Sequence, residues 1–487
     1  MPAVPVAVQS AYLANKITTM PTTTHLARLR QILTPYEILT DNELIAPFCT
    51  DQRKRYHGQV FAVLQPHTVN SVQNILRYCQ QQHIPVTPQG GNTGLCGGAT
   101  PHASITGKGI ILSLSKLNRV RQLNLTDNTI TVEAGMILAE VQAAARDANR
   151  YFPLSLASEG SCQIGGNIAC NAGGLNVVRY GTMRDLVLGL EYVLANGELI
   201  SHLYPLHKNT SGYEMYQQII GSEGTLAIIT AATLKLFAPP QSVLTAWVGV
   251  ENIHAATSLL STLKNHFAER LSSYELISQD ALSLSANYSQ LREPTSANWH
   301  ILLELSDSLP AQDLTEPLIS VLEQGNWFNT VIAQSESDRQ HLWALRENIS
   351  AAQRSLGASI KHDIVVPIEH VADFIKNCQQ QLAKNFPQAK TILFGHLGDG
   401  SLHYNVFIAD ILSNDVYHYE DSINQLVYEQ VLHYHGSIAA EHGIGQLKNQ
   451  WLPQVRSNAE IKWMWAQKHN LDPQGILNPG KVLPPQT

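Results

Sequence analysis

The chain has 487 residues, of which 44% are hydrophobic and 15% charged, and its net charge is −7 at pH 7. This length predicts more than one domain, and the composition is that of an ordinary globular enzyme. Charges of both signs are interspersed and no apolar run reaches 18 residues, so a nucleic-acid partner and a membrane-spanning helix are not expected.

The first 36 residues contain no acidic residue and only three cations, Lys16, Arg28 and Arg30. We expect a flexible N-terminal segment here, although a helix is predicted from Arg28. A weak transit segment to the mitochondrial matrix is the alternative. The six cysteines show no Cys-x-x-Cys spacing, which predicts neither a thiolate zinc site nor a disulfide framework and favours a reducing compartment such as the cytoplasm.

A glycine-rich stretch follows the first predicted strands and helix. A strand over residues 60–64 and an amphipathic helix with Val69, Val72, Leu76 and Cys79 on one side lead to a strand over 84–87. Residues 88–98 then read PQGGNTGLCGG. Successive free amides in such a loop suit a diphosphate, but the stretch has neither the Rossmann nor the P-loop spacing. A plain tight turn is the alternative for this loop alone.

Two further glycine-dense segments favour the ligand interpretation, SEGSCQIGGNIACNAGG at 158–174 and GSEG at 221–224. Before the first of these segments the sequence predicts strands over 110–114 and 129–133 and a helix over 137–149. Between the two segments it predicts a hairpin of 186–194 with 198–201 around Asn196-Gly197. A strand over 226–236 follows. Pro239-Pro240 predicts a domain boundary.

Beyond that boundary, strands and helices alternate as in a small antiparallel α+β unit. Strands are predicted over 244–250, 274–277 and 301–305, and helices over 255–267 and 314–324. A long helix is predicted over 337–357. Arg346 and Ser350 are four residues apart in it and therefore share a face.

Histidines and a glutamate come at the ends of the later strands. A strand over 391–394 leads to His396, and one over 402–408 carries His403 and Asn405 on one face. A helix over 421–435 and a short strand over 437–439 precede Glu441 and His442. Two histidines and a carboxylate suit zinc or another divalent metal, although satisfied histidines are the alternative in a chain with 20 of them.

Four motifs, taken in their order along the chain, resemble the flavin domain of the vanillyl-alcohol-oxidase type. They are PQGGNTGLCGG at 88–98, IGGNI at 164–168, RYGTMRD at 179–185 and IGSEGTL at 220–226. Within it, the chain most resembles the FAD-linked D-2-hydroxyacid dehydrogenases over residues 56–481. The resemblance implies an α+β fold: a flexible segment at 1–36, a PCMH-type FAD-binding domain of two α/β subdomains at 37–240, an antiparallel-sheet cap at 241–450, and a segment at 451–487 that returns to the FAD domain.

The resemblance also implies the site residues. FAD is expected to bind without a covalent tether, because Asn92 stands where some relatives have a histidine. The implied cofactor-binding residues are Pro88, Gly90, Gly91, Asn92, Thr93, Gly94, Ser158, Gly160, Ser161, Gly165, Gly166, Asn167, Gly173, Tyr180, Gly181, Glu223, Gly224, Ile229 and Asn478. The implied substrate-binding residues are Arg346, Ser350, Lys361 and Asn405. The implied metal ligands are His396, His403 and Glu441.

His442 is the implied catalytic base, since an imidazole beside a cation can take the proton of a substrate hydroxyl. A purely orienting role toward Glu441 is the alternative. The reaction implied is hydride transfer from a D-2-hydroxyacid to flavin N5, with D-2-hydroxyglutarate as the leading substrate and D-lactate or glycolate as the alternative. We expect an electron-transfer flavoprotein or a quinone as acceptor, and a homodimer as the candidate assembly. A flavin-free metallohydrolase and a nucleotide-binding module without turnover are the other classes.

Overall fold

The computed structural model describes residues 22–485 apart from 311, 326, 410, 412 and 413. The N-terminal domain carries two sheets on one hydrophobic core, and the cap domain carries a third sheet with helices on both faces. This mixture confirms the predicted α+β fold. Among the described residues, every helix is too short or too polar to cross a membrane.

The strands of the N-terminal domain are β1 (Ile38–Leu39), β2 (Ala62–Leu64), β3 (Val86–Gln89), β4 (Ile110–Ser113), β5 (Val120–Asn124), β6 (Thr129–Glu133), β7 (Val187–Val193), β8 (Leu199–His202) and β9 (Ile228–Lys235). Its helices are α1 (Thr22–Ile32), α2 (Asn42–Ile45), α3 (Val69–Gln82), α4 (Leu138–Asp147), α5 (Ile164–Ala169), α6 (Val177–Tyr180), α7 (Met183–Leu186) and α8 (Tyr216–Ile219).

The first sheet has the order β1-β2-β4-β3, in which β2 and β3 run parallel to β4. The second has the order β5-β6-β9-β7-β8 and is antiparallel throughout. The predicted hairpin forms between β7 and β8, with Gly197 at a φ of +79° where a glycine is favoured. The first glycine-rich loop begins directly at the end of β3.

Helix α3 shows how the local sequence sets an element. The Thr68 hydroxyl accepts the amide of Ser71 and caps the N-terminus, while Val72, Leu76 and Cys79 are fully buried. The predicted amphipathic helix is thus present, and it ends at His83 in the left-handed region.

Part of the segment expected to be flexible is ordered. Residues 1–21 lie outside the described residues, but α1 begins at Thr22 and packs on α3 with Leu29 fully buried and Leu33 3% exposed. The expectation for residues 22–36 is therefore wrong, because two leucines spaced one helical turn apart find a place in the core.

The strands of the cap are β10 (Ser242–Val250), β11 (Leu271–Ser278), β12 (Trp299–Asp307), β13 (Phe328–Ile332), β14 (Ile360–Val365), β15 (Ala389–Gly395) and β16 (Ser401–Ile408). Its helices are α9 (Ile253–Phe267), α10 (Gln279–Ser289), α11 (Thr315–Glu323), α12 (Glu336–Glu347), α13 (Ile349–Ala352), α14 (Val371–Asn385) and α15 (Glu420–His433). Helices α16 (Leu452–Val455) and α17 (Asn458–Leu471) follow.

The cap sheet has the order β13-β10-β12-β11-β15-β16-β14 and is antiparallel. Alternate residues enter different cores: Leu303 and Leu305 pack with α9 and α14, and Leu302 packs with α10, α12 and α13. Because both faces are covered, the strands are apolar on both sides.

Two predicted elements of the cap differ from the structure. The long helix expected over 337–357 breaks at Asn348, where ψ is −9° and the side-chain amide donates to Ser289 Oγ of α10. Asparagine is a weak helix former that readily bonds elsewhere. The strand expected over 437–439 is reduced to one bridge, between Ser437 and Val365.

The C-terminal segment returns to the N-terminal domain after α17. The amide of Val86 in β3 donates to Ile476 O at 2.8 Å, and the amide of Asn478 donates to Val86 O at 2.8 Å. Buried Lys468 donates from Nζ to Thr225 O and Leu477 O at 2.8 and 2.7 Å. These bonds tie the chain end to the strand that precedes the first glycine loop.

Candidate active site

The two long glycine-rich loops lie against each other. A Cβ at Gly91 would collide with the carbonyl oxygen of Ser161, and one at Gly165 would lie 2.7 Å from Ala134 Cβ. Glycine is therefore required at both positions for close packing. A Cβ at Gly94 or Gly166 would instead meet no protein atom within 4 Å, so these two glycines face open space.

That open space belongs to a cavity of about 1070 Å³ between the two domains. Fourteen of the predicted cofactor-binding residues line it: Pro88, Gly90, Gly91, Asn92, Thr93, Gly94, Ser158, Gly165, Gly166, Asn167, Gly173, Glu223, Gly224 and Ile229. The opposite wall comes from the cap. An elongated dinucleotide fits a cavity of this size, in which glycines of both loops leave backbone open to a ligand.

Five predicted cofactor-binding residues do not line the cavity. Gly160 and Ser161 are exposed at the surface. Tyr180 packs edge-on against Phe237 in the N-terminal domain, and Gly181 lies beside Asp185.

Asn478 is 2% exposed, and its side-chain amide donates to Gly98 O and Glu223 O at 3.0 and 2.8 Å. These bonds connect the C-terminal segment to the end of the first glycine loop.

Glu223 borders the cavity, but its carboxylate forms hydrogen bonds with backbone amides of the cap. It accepts the amide of Ile444 at 2.7 Å and that of Gly445 at 2.9 Å. Burial raises the pKa of this carboxyl, and the two amides oppose the rise. In the structure Glu223 holds the loop that follows His442, a contact that was not predicted from the sequence.

Arg346 of α12 is anchored by Glu275 of β11. Arg346 Nε and Nη2 approach Glu275 Oε2 at 2.8 and 2.7 Å, and the guanidinium lies 4.7 Å over the Phe394 ring. Glu275 Oε1 also lies 2.7 Å from His396 Nδ1. Burial would raise the pKa of Glu275, but His396 and Arg346 lower it below its usual value.

Sequence reasoning missed Glu275. The only indication available was a carboxylate in the middle of an otherwise apolar and small-residue strand, LSSYELIS. A buried charge of this kind is rare unless it is paired.

The predicted metal ligands come together. Candidate ligand atoms of His396, His403 and Glu441 all lie within 4.8 Å of one another, and His396 Nε2 is 2.9 Å from Glu441 Oε1. Burial disfavours the charged form of His396, but the carboxylates of Glu275 and Glu441 raise its pKa well above the usual value. Burial lowers the pKa of His403 to about 4. The carboxylates of Glu275 and Glu441 thus favour a positive charge at His396, and the imidazole of His403 beside it is neutral. Such a site suits a divalent cation.

His442 is oriented by Asp363 of β14. His442 Nδ1 lies 3.4 Å from Asp363 Oδ2, and that oxygen also accepts the backbone amides of Glu441 and His442 at 3.0 and 2.9 Å. The rings of His442 and His403 stack at 6.1 Å. Burial would raise the pKa of Asp363, but His442 and Lys448 depress it. Asp363, Glu441 and His442 also satisfy the geometry of a metal-binding group.

The predicted substrate-binding residues Arg346, Ser350, Lys361 and Asn405 all line the same cavity as His442. Lys361 of β14 lies opposite Asn405 of β16, whose amide donates to Gln353 Oε1 at 2.9 Å. Burial, aided by Arg53 and Arg354, lowers the pKa of Lys361 to about 8. The structure thus brings all eight predicted substrate, metal and base residues to one cavity.

Comparison with known proteins identifies the fold first. The family model "FAD binding domain" matches residues 61–202, and "FAD linked oxidases, C-terminal domain" matches residues 239–482. The solved structure of p-cresol methylhydroxylase with substrate bound superposes with a TM-score of 0.75 at 16% identity, covering 95% of this chain and 97% of that one. The molecule has a PCMH-type FAD-binding fold with a cap, and the residues of its cavity fit the cofactor.

Sequence relatives define the family. The chain is 35% identical to mitochondrial D-2-hydroxyglutarate dehydrogenase of Rattus norvegicus, over 93% of this chain and 84% of the relative. It is 33% identical to D-2-hydroxyglutarate dehydrogenase of Stutzerimonas stutzeri, over 93% of this chain and 98% of the relative. The chain belongs to the FAD-linked D-2-hydroxyacid dehydrogenase family, and it is an oxidoreductase. This confirms the predicted family and contradicts the alternative prediction of a flavin-free metallohydrolase.

Proposed function

We propose that the chain oxidises a D-2-hydroxyacid to the 2-oxoacid, with D-2-hydroxyglutarate as the leading substrate and D-lactate or glycolate as the alternative. The observation that carries the proposal is the single cavity in which Arg346, the His396–His403–Glu441 group and His442 face the glycine loops. The names of relatives at 33% to 35% identity support the first substrate.

The residues present fit both an organic cofactor and a metal. FAD, held without a covalent bond by the loops around Gly90–Asn92 and Gly165–Asn167, supplies the acceptor for the hydride. His396, His403 and Glu441 would hold a divalent metal, with zinc as the leading candidate, that polarises the substrate oxygen and lowers the pKa of the hydroxyl.

Arg346 positions the substrate carboxylate. Its Nε and Nη2 are committed to Glu275, while Nη1 has no hydrogen-bond partner within the described part of the chain. Because Glu275 fixes two of the nitrogens, the remaining edge of the guanidinium is held in one orientation toward the cavity.

His442 takes the hydroxyl proton. Asp363 faces Nδ1 of the ring, so a proton on Nδ1 is stabilised and Nε2 is left with a lone pair as the acceptor. The two backbone amides on the same Asp363 oxygen keep the carboxylate from turning away. The base therefore has both its tautomer and its orientation set by one residue.

The proposed function also includes an electron acceptor, an assembly and a compartment. Electrons leave to an electron-transfer flavoprotein or a quinone, and the candidate assembly is a homodimer. The compartment is the cytoplasm, with the mitochondrial matrix as the alternative if the residues before Glu37 are a transit segment. The rat relative carries "mitochondrial" in its name.

Dye-coupled oxidation rates test the proposal across D-2-hydroxyglutarate, D-lactate, glycolate and the L-enantiomers. We expect the D-enantiomers to react, D-2-hydroxyglutarate with the highest kcat/KM, and a chelator to abolish turnover while the yellow colour stays. Turnover that prefers L-enantiomers, or that is unaffected once metal analysis shows an emptied site, contradicts the assigned roles.

A further inference from the structure

Two arginines face the cavity beside Lys361. Arg53 comes from the N-terminal domain, and Arg354 from the turn that follows α13. Burial lowers the pKa of Lys361, and the positive charges of Arg53 and Arg354 lower it further, so both arginines lie within electrostatic reach of Lys361. Among the described residues, none of the three has an ion-pair partner within 4.0 Å.

Arg53 is held in place by neutral groups. Its Nη2 donates to Ser359 O at 3.3 Å and to Tyr417 Oη at 3.1 Å. Arg55, two residues on, lies 4.3 Å over the Tyr417 ring and forms a bidentate pair with Glu420 of α15. The contacts of Arg55 with Tyr417 and Glu420 hold the segment around Arg53 against the cap. Arg53 Nε and Nη1 have no partner in the part of the chain that the structure describes.

The charges along the cavity are unevenly distributed. Arg346 is neutralised by Glu275, and the end that carries His442 also contains the carboxylates of Glu441 and Asp363. Arg53 is partly buried without such a partner. A partly desolvated guanidinium without a counter-charge is costly, and an anionic ligand would remove that cost.

We propose that Arg53 is a specificity-determining residue, which together with Lys361 and Arg354 binds a second carboxylate at the far end of the 2-hydroxyacid. This inference rests on the proposed function and adds Arg53 to the residues that select its leading substrate. Arg53 offers a planar fork and Lys361 a point charge, so the two can share one carboxylate. A substrate that ends in a methyl group would leave both cations unpaired.

The test compares two acids of equal carbon number, D-2-hydroxyglutarate and D-2-hydroxypentanoate, on the holoenzyme. We expect Arg53→Met to lower kcat/KM for D-2-hydroxyglutarate by roughly tenfold to a hundredfold and that for D-2-hydroxypentanoate by less than about twofold. Lys54→Met is the matched control, since exposed Lys54 does not line the cavity, and it should change neither value. Arg53→Lys should restore part of the loss.

Equal losses on both acids, or no loss on either, overturn the role of Arg53. Calorimetric binding of 2-oxoglutarate and 2-oxopentanoate to the same proteins separates this inference from the proposed function. If wild type fails to oxidise either acid but Arg53→Met still weakens only 2-oxoglutarate binding, the anion site stands and the reaction does not. Flavin absorbance and the melting temperature verify that each variant is folded.

Discussion

Glu275 is a fully buried carboxylate that binds two cationic side chains, Arg346 and His396. One oxygen faces each partner, so the residue links the proposed substrate anchor to a proposed metal ligand. A purely structural ion pair would not need to connect two elements of the site. We infer that Glu275 sets the position of Arg346 relative to His396.

Replacing Glu275 by Gln keeps the shape and removes the charge. Because this leaves Arg346 buried without its counter-charge, we expect the free energy of unfolding to fall by about 3 kcal/mol, measured by urea denaturation. Glu336→Gln is the matched control: that carboxylate is 64% exposed and pairs with Arg339 at 3.3 Å, so its loss should cost less than about 1 kcal/mol. If both substitutions lowered the free energy of unfolding equally, burial would not be the reason that Glu275 matters.

Lys361 predicts a pH dependence. Its pKa is lowered to about 8 in the free protein, so the ammonium is present below that pH and is lost as pH rises through it. We expect kcat/KM for D-2-hydroxyglutarate to fall above about pH 8 relative to that for D-2-hydroxypentanoate. The measurement is the ratio of the two values from pH 6 to 10, which cancels every ionisation that affects both substrates equally. Lys361→Met should make the ratio flat, and an unchanged slope in this variant would assign the titration elsewhere.

The residues that sequence reasoning could not supply are those that support the site. His396, His403, Glu441 and His442 were predicted because their types carry chemistry and a resemblance connects them. Glu275 lies 121 residues from His396 in the chain, and its role depends on two strands that become neighbours only in the folded sheet. A single sequence does not encode that pairing visibly.

At the scale of elements, the loop after His442 is fixed by the N-terminal domain. Gly443 and Gly445 both have positive φ, and a Cβ at Gly445 would collide with Cys96 O. Glu223 accepts two amides of this loop, and Cys96 Sγ donates to Gly443 O at 3.4 Å. The proposed base, His442, is thus positioned by contacts that cross the domain interface.

Glu223→Gln tests this contact. The amide can accept one of the two N–H groups and must present its own NH₂ to the other, so the loop should loosen. We expect kcat to fall by roughly tenfold to a hundredfold, FAD content to stay near one per chain, and amide exchange over 443–446 to accelerate. Exposed Glu198→Gln is the control. Loss of FAD without faster exchange would instead support the cofactor-binding role first predicted for Glu223.

Most strands and helices of both domains were predictable, because hydrophobic periodicity and turn residues are local properties. β6 was located over residues 129–133 as observed, and the hairpin at Asn196-Gly197 forms. The break at Asn348 was not predicted, because the apolar stripe continues across it and the competing bond to Ser289 is made by a distant helix. Tertiary contacts therefore override local propensity at that point.

At the scale of the molecule, the chain end closes the N-terminal domain. Asp472 is fully buried and accepts Lys468 Nζ at 2.5 Å and the amides of Ile476 and Leu477 at 3.0 and 2.8 Å. Ile476 and Leu477 belong to the core cluster of the N-terminal domain. This segment therefore couples the cap side of the chain to the strand that leads into the first glycine loop.

Asp472→Asn leaves Lys468 buried without a counter-charge. We expect the free energy of unfolding to fall by about 3 kcal/mol and FAD to be released at a lower temperature, followed by flavin fluorescence during heating. Glu460→Gln, in the exposed pair with Arg456, is the control and should leave the release temperature within about 2 °C. FAD release that does not respond to Asp472→Asn would show that the C-terminal return is not coupled to the cofactor site.

We propose that one cavity holds both a flavin and a D-2-hydroxyacid, and that His442 lies beside the substrate in it. An anaerobic titration of the purified holoenzyme with D-2-hydroxyglutarate, followed by flavin absorbance, tests it most directly. We predict complete bleaching with one equivalent of 2-oxoglutarate formed per flavin, no bleaching by the L-enantiomer, and a yellow protein that fails to bleach when His442 is replaced by Ala. A colourless protein, or His442→Ala that bleaches at the wild-type rate, would contradict the account.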